Sequence, residues 1–220
     1  MRPLAAVLSL LALVGAACAS DDPTGALGLV VVGVAAEGCG LEPAFGTGVA
    51  IEHEGEILVV TSAHTVAGAD VVSLRRTTDI PIPARVVAFD PDLDLAVIRA
   101  GAIRVGRQLA DPAEGDDALA VVWSPDVGLA SFDTQVTRLL RVTIEDIYVE
   151  DTVERRAFEF AGTITAGDSG APVFDDSGAV LGIVYARSRD RTVGFALSTT
   201  EIRPVLDEAG DAHVDTGRCL

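Results

Sequence analysis

One serine of the chain lies between two glycines and beside an acid, in the segment TAGDSGAP at residues 165–172. A serine hydroxyl is a poor nucleophile at neutral pH, so a catalytic role for Ser169 needs a base and an acid elsewhere in the chain. Gly, Asp, Ser and Pro are also common turn residues, and a plain loop between two strands is the alternative. The remaining motifs decide between these two interpretations.

His64 is the candidate base among the three histidines of the sequence. It directly follows the apolar segment EILVVTSA, whereas His53 lies in a predicted hairpin turn and His213 in the C-terminal tail. A histidine at the end of a buried strand can hold one ring nitrogen toward an acid and the other toward a hydroxyl. A surface histidine satisfied by water is the alternative.

Asp94 is the candidate acid, because it leads directly into the apolar strand LAVIRA, where a carboxylate can be buried beside an imidazole. Asp90 and Asp92 precede it in a predicted solvated turn.

The order of the three candidates along the chain is therefore His, Asp, Ser. The α/β-hydrolases run Ser, Asp, His and need a G-x-S-x-G motif, but Ala171 stands two residues after the serine. An esterase of that fold is disfavoured.

Short apolar, β-branched segments recur along the chain, about ten residues apart, with turn residues between them. This pattern predicts an all-β domain, a sandwich or a barrel, and not an alternating βαβ chain. Residues Ser198–Glu201 have the spacing of a helix capping box and precede the apolar residues Ile202, Val205 and Leu206. They predict a short C-terminal helix, with Pro204 in its interior.

Residues 1–19 have the layout of an export signal, with one arginine, an apolar run and then small residues. Two processing routes remain open: cleavage after Ala19, or lipidation of Cys18 at a lipobox-like site, which would attach the protein to a membrane. We expect an exported protein, either extracellular or in the cell envelope. A linker is predicted at 20–28 and one domain at 29–220.

Cys39 and Cys219 remain as a pair once Cys18 is removed or lipidated. In an oxidising compartment we expect these two cysteines to be bridged, with two unpaired thiols as the alternative. The bond would close nearly the whole domain and contribute about 4 kcal/mol on loop-entropy grounds.

Acidic residues outnumber basic ones, because 33 Asp and Glu stand against 16 basic residues, all of them Arg, for a net charge of -17. The negative electrostatic field of so acidic a chain disfavours nucleic acid and anionic lipid headgroups as partners. The sequence has no cluster of His, Cys and Asp with metal-ligand spacing. We therefore expect neither a metal nor another cofactor.

Together, the segments TSAHTV, DLDLAV and TAGDSGAP resemble the motifs of trypsin-like (chymotrypsin-fold) serine peptidases. FGTGVAIE and the short spacing look most like the compact bacterial Deg (high-temperature-requirement) peptidase domains. DIYVEDTVERRAF, the GFALSTTEI region and the terminal TGRC are similar to membrane-anchored mycobacterial members, in which a disulfide joins the corresponding cysteines. The resemblance implies two six-stranded antiparallel β-barrels with the active site between them, and polypeptide substrates.

The resemblance carries the family's catalytic positions onto His64, Asp94 and Ser169. His64 would take the proton of Ser169 during attack on a peptide carbonyl, while Asp94 fixes the imidazole tautomer. Backbone N–H groups of Gly167 and Ser169 would form the oxyanion hole. An inactive, protease-like binding module is the alternative function, and we expect a monomer.

The resemblance also places the first substrate pocket at Thr163, Tyr185, Ala186 and Arg187. Thr163 at its base is not acidic, so we expect small or medium apolar residues there rather than Arg or Lys. Arg187 either borders the pocket and admits an acidic residue or is a surface charge of a hairpin, which we prefer. Tyr185 stands where many members place a serine that supports the catalytic acid.

Val31–Val34 faintly resembles the new N-terminus that cleavage releases in digestive proteases, where it pairs with the acid beside the catalytic serine. We interpret this segment as a core strand instead. Asp168 must then find another partner or solvent, and the mature chain should be active without a cut before Val31.

Overall fold

The computed structural model describes residues 27–76 and 80–220. The predicted export signal at residues 1–19, the candidate lipidation site Cys18 and all but the last two residues of the predicted linker lie outside the described residues. The predictions made for them therefore stay predictions. Within the described ranges, no helix is long and apolar enough to cross a membrane.

Six antiparallel strands of the N-terminal half close into the first barrel. They are β1 (Val31–Glu37), β2 (Ala44–His53), β3 (Glu56–Thr61), β4 (Val71–Arg75), β5 (Ile82–Asp90) and β6 (Leu95–Arg99). Neighbouring strands run in the order β1-β2-β3-β6-β5-β4, and β4 pairs with β1 to complete the closure. A short helix α1 (Ala63–Val66) follows β3.

The C-terminal half repeats this arrangement as a second closed barrel. Its strands are β7 (Asp117–Ser124), β8 (Gly128–Glu145), β9 (Thr152–Ala161), β10 (Pro172–Phe174), β11 (Val180–Arg187) and β12 (Val193–Ser198). They neighbour one another in the order β10-β11-β12-β9-β8-β7, with β7 and β10 paired to close the ring. The predicted all-β class with two six-stranded antiparallel barrels is confirmed.

Strand β1 lies where the two barrels meet. Val31, Val32 and Val34 are each at most 1% exposed, and Gly33 packs against the ring of Trp123 in β7. The larger cluster of buried apolar side chains extends from the first barrel onto strands of the second, and a smaller cluster fills the second barrel. The interpretation of Val31–Val34 as a core strand is confirmed.

The predicted C-terminal helix is present as α2 (Thr199–Asp207), but its capping differs from the expected box. Ser198 caps the helix and accepts a hydrogen bond from Thr200 N. Glu201, however, accepts a hydrogen bond from Arg156 N instead of returning to the cap. The Glu201 carboxylate therefore binds the backbone of the neighbouring strand β9 instead of the N-terminus of its own helix. Ile202, Val205 and Leu206 form the buried face, as expected.

The C-terminal tail is attached to the first barrel by a disulfide and by backbone hydrogen bonds. Cys219 is joined to Cys39 in a disulfide with a Cα–Cα distance of 5.4 Å, so the predicted pairing is present. Gly68 N donates a hydrogen bond to Thr216 O at 3.0 Å. The tail therefore lies against the turn that follows α1.

We expect Gly33→Ala to lower the free energy of unfolding by about 1–3 kcal/mol through overpacking. A methyl group at this position would lie 2.3 Å from a ring carbon of Trp123, so the ring or the strand that carries it would have to shift. Denaturant unfolding measures the change. Gly101→Ala is the matched control, because its methyl would meet no atom within 4 Å. Equal stability of the two variants would contradict tight packing at this contact.

Candidate active site

His64 is positioned by a single helical turn at the end of β3. Ser62 begins the turn, and its hydroxyl lies 2.7 Å from Thr65 Oγ1. Ala63 and Val66 are fully buried and anchor the turn in the barrel wall. Because successive helical residues point in different directions, His64 between them projects from the wall, with its side chain 31% exposed. His53 and the exposed His213 lie elsewhere and do not reach this site.

Asp94 lies at the start of β6, after a tight turn in which Asp90 Oδ1 accepts a hydrogen bond from Leu93 N at 2.8 Å. The backbone of Asp94 has a φ of 58°, in the left-handed region that is uncommon for a residue other than glycine. This conformation turns the carboxylate into the protein, where Asp94 is only 5% exposed. Asp92 remains exposed, as predicted, whereas Asp90 is half-buried.

Two groups of His64 donate hydrogen bonds to Asp94. The backbone N–H reaches Oδ1 at 2.9 Å, and ring nitrogen Nδ1 lies 2.8 Å from Oδ2 and 3.0 Å from Oδ1. A carboxylate accepts, so Nδ1 carries the proton and Nε2 is left with a free lone pair. The neutral ring is therefore held in the tautomer that a general base needs.

The pKa of His64 is raised above the 6.5 of an ordinary histidine. Burial by itself lowers this pKa, but the hydrogen bond to Asp94 and the charge of that carboxylate together raise it by more. The charge of Arg155 opposes the increase weakly. Because a general base must start unprotonated, activity that depends on His64 would rise with pH through this raised value.

Ser169 is held in a loop that two glycines make possible. Gly167 has a φ of 97° and Gly170 a φ of 84°, both in the left-handed region. A methyl group on Gly170 would lie 1.9 Å from Thr47 O, so only glycine allows the loop to approach β2 this closely. Thr47 N in turn donates to Ser169 O at 2.8 Å. The nucleophile candidate of the second barrel is thus bonded to the first.

Asp168, beside the serine, has its partner within the same loop. Its Oδ2 accepts hydrogen bonds from Thr165 N at 2.7 Å and Thr165 Oγ1 at 2.9 Å, and Asp168 is 8% exposed. Its own carbonyl accepts from Ala171 N at 3.0 Å. The expectation that Asp168 pairs with something other than a released N-terminus is confirmed.

Gly46 of β2 separates the histidine turn from the serine loop. A Cβ atom on Gly46 would lie 2.7 Å from Thr65 Oγ1 and 3.1 Å from Ser169 O. The segments that carry His64 and Ser169 therefore meet at one point of β2. Within the described residues, the His64 ring is hydrogen-bonded to Asp94 and not to Ser169. Catalytic hydrogen bonds are often longer before substrate binds.

The N–H groups expected to form an oxyanion hole are available. Among the described residues, neither Gly167 N nor Ser169 N donates to another protein atom. Gly170 N, in contrast, donates to Val184 O at 2.8 Å. Two free N–H groups, one on the half-buried serine itself and one two residues before it, are what binding of an oxyanion requires.

The four residues predicted for the substrate pocket occupy two facing segments. Thr163 is exposed in the loop after β9, and Tyr185, Ala186 and Arg187 end β11. Arg187 is exposed, and its Nη1 lies 3.5 Å from Ile164 O in the loop opposite. Tyr185 is left unpaired at a β-bulge between Val184 and Ala186. Burial raises the pKa of Tyr185, the charge of Arg155 lowers it and Asp94 raises it, with a net increase.

Arg155 is a buried charged residue beside this site that sequence reasoning did not find. It lies in β9, is 2% exposed, and donates from Nε to the carbonyl of Asp92 at 2.7 Å. The segment ERRAF contains two adjacent arginines, and strand alternation indicates only that one of them faces inward. Which one does so depends on the register with the neighbouring strands.

Residues 46–183 match the trypsin-like peptidase domain family, and the chain belongs to this family. The serine protease Rv3671c of Mycobacterium tuberculosis is 31% identical over 168 residues, which make up 74% of this chain and 42% of that relative. A probable periplasmic serine endoprotease of the DegP-like kind from a Marinomonas species is 29% identical over 175 residues, or 77% of this chain and 36% of the relative. The chain thus spans less than half the length of these relatives.

The fold of this chain is also similar to solved structures of the same mycobacterial protease. The crystal structure of its active form has a TM-score of 0.82 at 26% identity and covers 100% of this chain and 98% of that one. The crystal structure of its inactive form has a TM-score of 0.72 at 26% identity and covers 85% of this chain and 92% of the other. The predicted resemblance to the trypsin-like and Deg peptidases is confirmed.

In a Ser169→Ala protein, we expect His64 to titrate above 6.5 and the additional change Asp94→Asn to bring its pKa below that value. Asp94 supplies both interactions that raise the pKa, so only burial and the charge of Arg155 remain, and both lower it. Ring-proton NMR across the pH range measures this. Equal circular dichroism spectra of the two proteins serve as the control for an unchanged fold. Identical His64 titrations would contradict the assigned contacts.

Proposed function

We propose that the chain is an exported serine endopeptidase that cleaves peptide bonds with His64, Asp94 and Ser169. The observation that carries the proposal is the double hydrogen bond from His64 to the buried Asp94 carboxylate, which leaves Nε2 unprotonated. The higher TM-score with the active form of the mycobacterial protease than with its inactive form supports it. The conformation of Gly167 and the free N–H groups around Ser169 also support it.

In the proposed mechanism, His64 Nε2 accepts the proton of Ser169 Oγ as the oxygen attacks the carbonyl carbon of the scissile bond. Asp94 remains ionised and stabilises the imidazolium that forms. His64 then donates the proton to the leaving amine, which leaves an acyl group on Ser169. A water molecule, activated by the same ring, hydrolyses this ester and restores the enzyme.

The N–H groups of Gly167 and Ser169 stabilise the negative charge that develops on the carbonyl oxygen. In the proposed hole both N–H groups point at the same oxygen, and a residue with a Cβ would be strained at the φ of 97° that Gly167 adopts. Loss of one such donor typically costs about 100- to 1,000-fold in rate.

We place the first substrate pocket between the loop at Thr163 and the end of β11 at Tyr185, Ala186 and Arg187. Without an acid at Thr163, a small or medium apolar substrate residue is the best fit. Arg187 stays a surface charge in this proposal, because its side chain is exposed and its bond to Ile164 O is long. Polypeptides are the proposed substrates.

The remaining parts of the proposal concern the whole protein. Residues 1–19 act as an export signal, and residues 20–28 link it to a peptidase domain at 29–220. Either the signal is cleaved after Ala19, which removes Cys18, or Cys18 is lipidated. The protein works as a monomer outside the cell or in the cell envelope. The acidic composition supports solubility in that setting.

The test is labelling by a fluorophosphonate probe, which reacts with activated serines, after expression of the full chain in a bacterial host. We expect Ser169→Ala and His64→Ala to abolish labelling, with a loss of about 10⁶-fold in peptidase kcat for either change. Ser177→Ala and His213→Ala are matched controls, because both side chains are exposed and neither lies in the loop at 165–172. These controls should label like the unmodified protein.

Mass spectrometry of the labelled protein shows where the mature chain begins and whether Cys18 carries lipid. Labelling with the N-terminus still before Val31 supports activity without a cut into the core strand. Labelling that follows only after such a cut contradicts that part of the proposal. A folded protein that never labels would point to an inactive binding module.

For a protein that labels, a peptide library measures the expected apolar preference. Cleavage after Arg, Lys, Asp or Glu would contradict that preference.

A further inference from the structure

Arg155 is a charged side chain buried without a carboxylate in hydrogen-bond contact. It is 2% exposed, and within the described residues no ion pair involves it. Its guanidinium instead donates to two backbone carbonyls, from Nε to Asp92 O at 2.7 Å and from Nη2 to Glu145 O at 3.3 Å. Burial of an arginine in this way is costly, so the fold must gain something from its position.

The neighbouring arginine shows that this burial is specific. Arg156 is on the opposite face of β9, its side chain is 53% exposed, and its Nε lies 4.0 Å from Glu201 Oε1. Arg155 and Arg156 have the same chemistry and differ in the face of the strand that carries them. They therefore form a matched pair for experiment.

The bond to Asp92 connects the second barrel to the turn that holds the candidate acid. Asp92 lies two residues before Asp94, whose φ of 58° is strained for a residue with a side chain. A second bond from the same barrel reaches this turn, because Ile147 N donates to Pro91 O at 3.2 Å. The turn is thus bonded from outside at two successive carbonyls, which limits how far Asp94 can move.

Tyr185 also contacts the guanidinium of Arg155. The Cζ atom of Arg155 is 5.6 Å from the centre of the Tyr185 ring, a distance at which a cation and an aromatic face attract one another. The bulge in β11 frees Tyr185 for this contact. Tyr185 and the Asp92 carbonyl, on two different segments, are therefore both in contact with the arginine.

We propose that Arg155, held by Tyr185, is a positioning residue for Asp94 and acts on catalysis through the Asp94–His64 hydrogen bonds. It fixes the Asp92 carbonyl and so keeps the strained turn in the conformation that aims the carboxylate at His64. This inference rests on the proposed peptidase function.

The experiment is a double-mutant cycle on the full-length protein, with kcat and KM measured on a reactive ester substrate. Arg155→Met keeps the length and apolar packing of the side chain but removes its charge and both hydrogen bonds. We expect kcat to fall about 100-fold, the typical cost of a small misplacement of a catalytic group, with KM changed less than about 3-fold. In an Asp94→Asn background, the same change should lower kcat less than about 3-fold, because the group that Arg155 positions is already gone.

Spectroscopy gives a second measure that a purely structural role would not move. In Ser169→Ala protein, the His64 Nδ1 proton should give a strongly downfield NMR resonance through its bond to Asp94. Arg155→Met should shift this resonance upfield or broaden it while the circular dichroism spectrum stays unchanged. Arg156→Met is the control and should leave kcat, KM and the resonance as in the unmodified protein.

Should Arg155→Met fail to fold, Arg155→Lys carries the test, since lysine keeps the buried charge but cannot reach both carbonyls with one planar group. An intermediate loss of kcat that disappears in the Asp94→Asn background supports the proposal. Equal losses in both backgrounds, or no loss in either, would overturn it while labelling of the unmodified protein still supports the peptidase. Absence of labelling in the unmodified protein would instead count against the proposed function itself.

Discussion

The buried carboxylate of Asp94 is the constraint on which the rest of the site depends. A carboxylate removed from water needs hydrogen-bond donors, and here one residue, His64, supplies them from its backbone N–H and from its ring. The same contact connects the turn after β3 to the start of β6 and selects the imidazole tautomer. The positive φ of Asp94 costs about 1–2 kcal/mol, which these charge-assisted bonds offset.

Strand β2 brings the serine to this pair, although the serine belongs to the other barrel. Thr47 carries three of the contacts: its N–H bonds to Ser169 O, its carbonyl faces Gly170, and its Oγ1 accepts from Trp123 N at 3.0 Å. Backbone atoms make most of these contacts, so their geometry tolerates little variation. The barrels are therefore held in one relative position at the place where the segments that carry His64 and Ser169 meet.

A second set of contacts surrounds the histidine and acid from the outside. The loop at residues 146–151 is folded around Asp146, whose pKa is lowered by the backbone N–H groups that donate to it, first among them that of Glu150. Tyr148 of this loop donates to carbonyls of the C-terminal tail, and the tail reaches the α1 region through the disulfide at Cys39. Segments distant in sequence thus support one small hydrogen-bonded group.

The sequence by itself determined the all-β class, the cysteine pair and the histidine, aspartate and serine candidates. These follow from local patterns: strand alternation, turn chemistry and the few residue types able to activate a hydroxyl. The tertiary structure decided what depends on pairing between distant strands. Glu201 accepts from Arg156 N rather than completing its capping box, and Arg155, not Arg156, faces the turn of the acid. A one-residue change of register in β9 would exchange the two arginines, and register arises from contacts that no short segment contains.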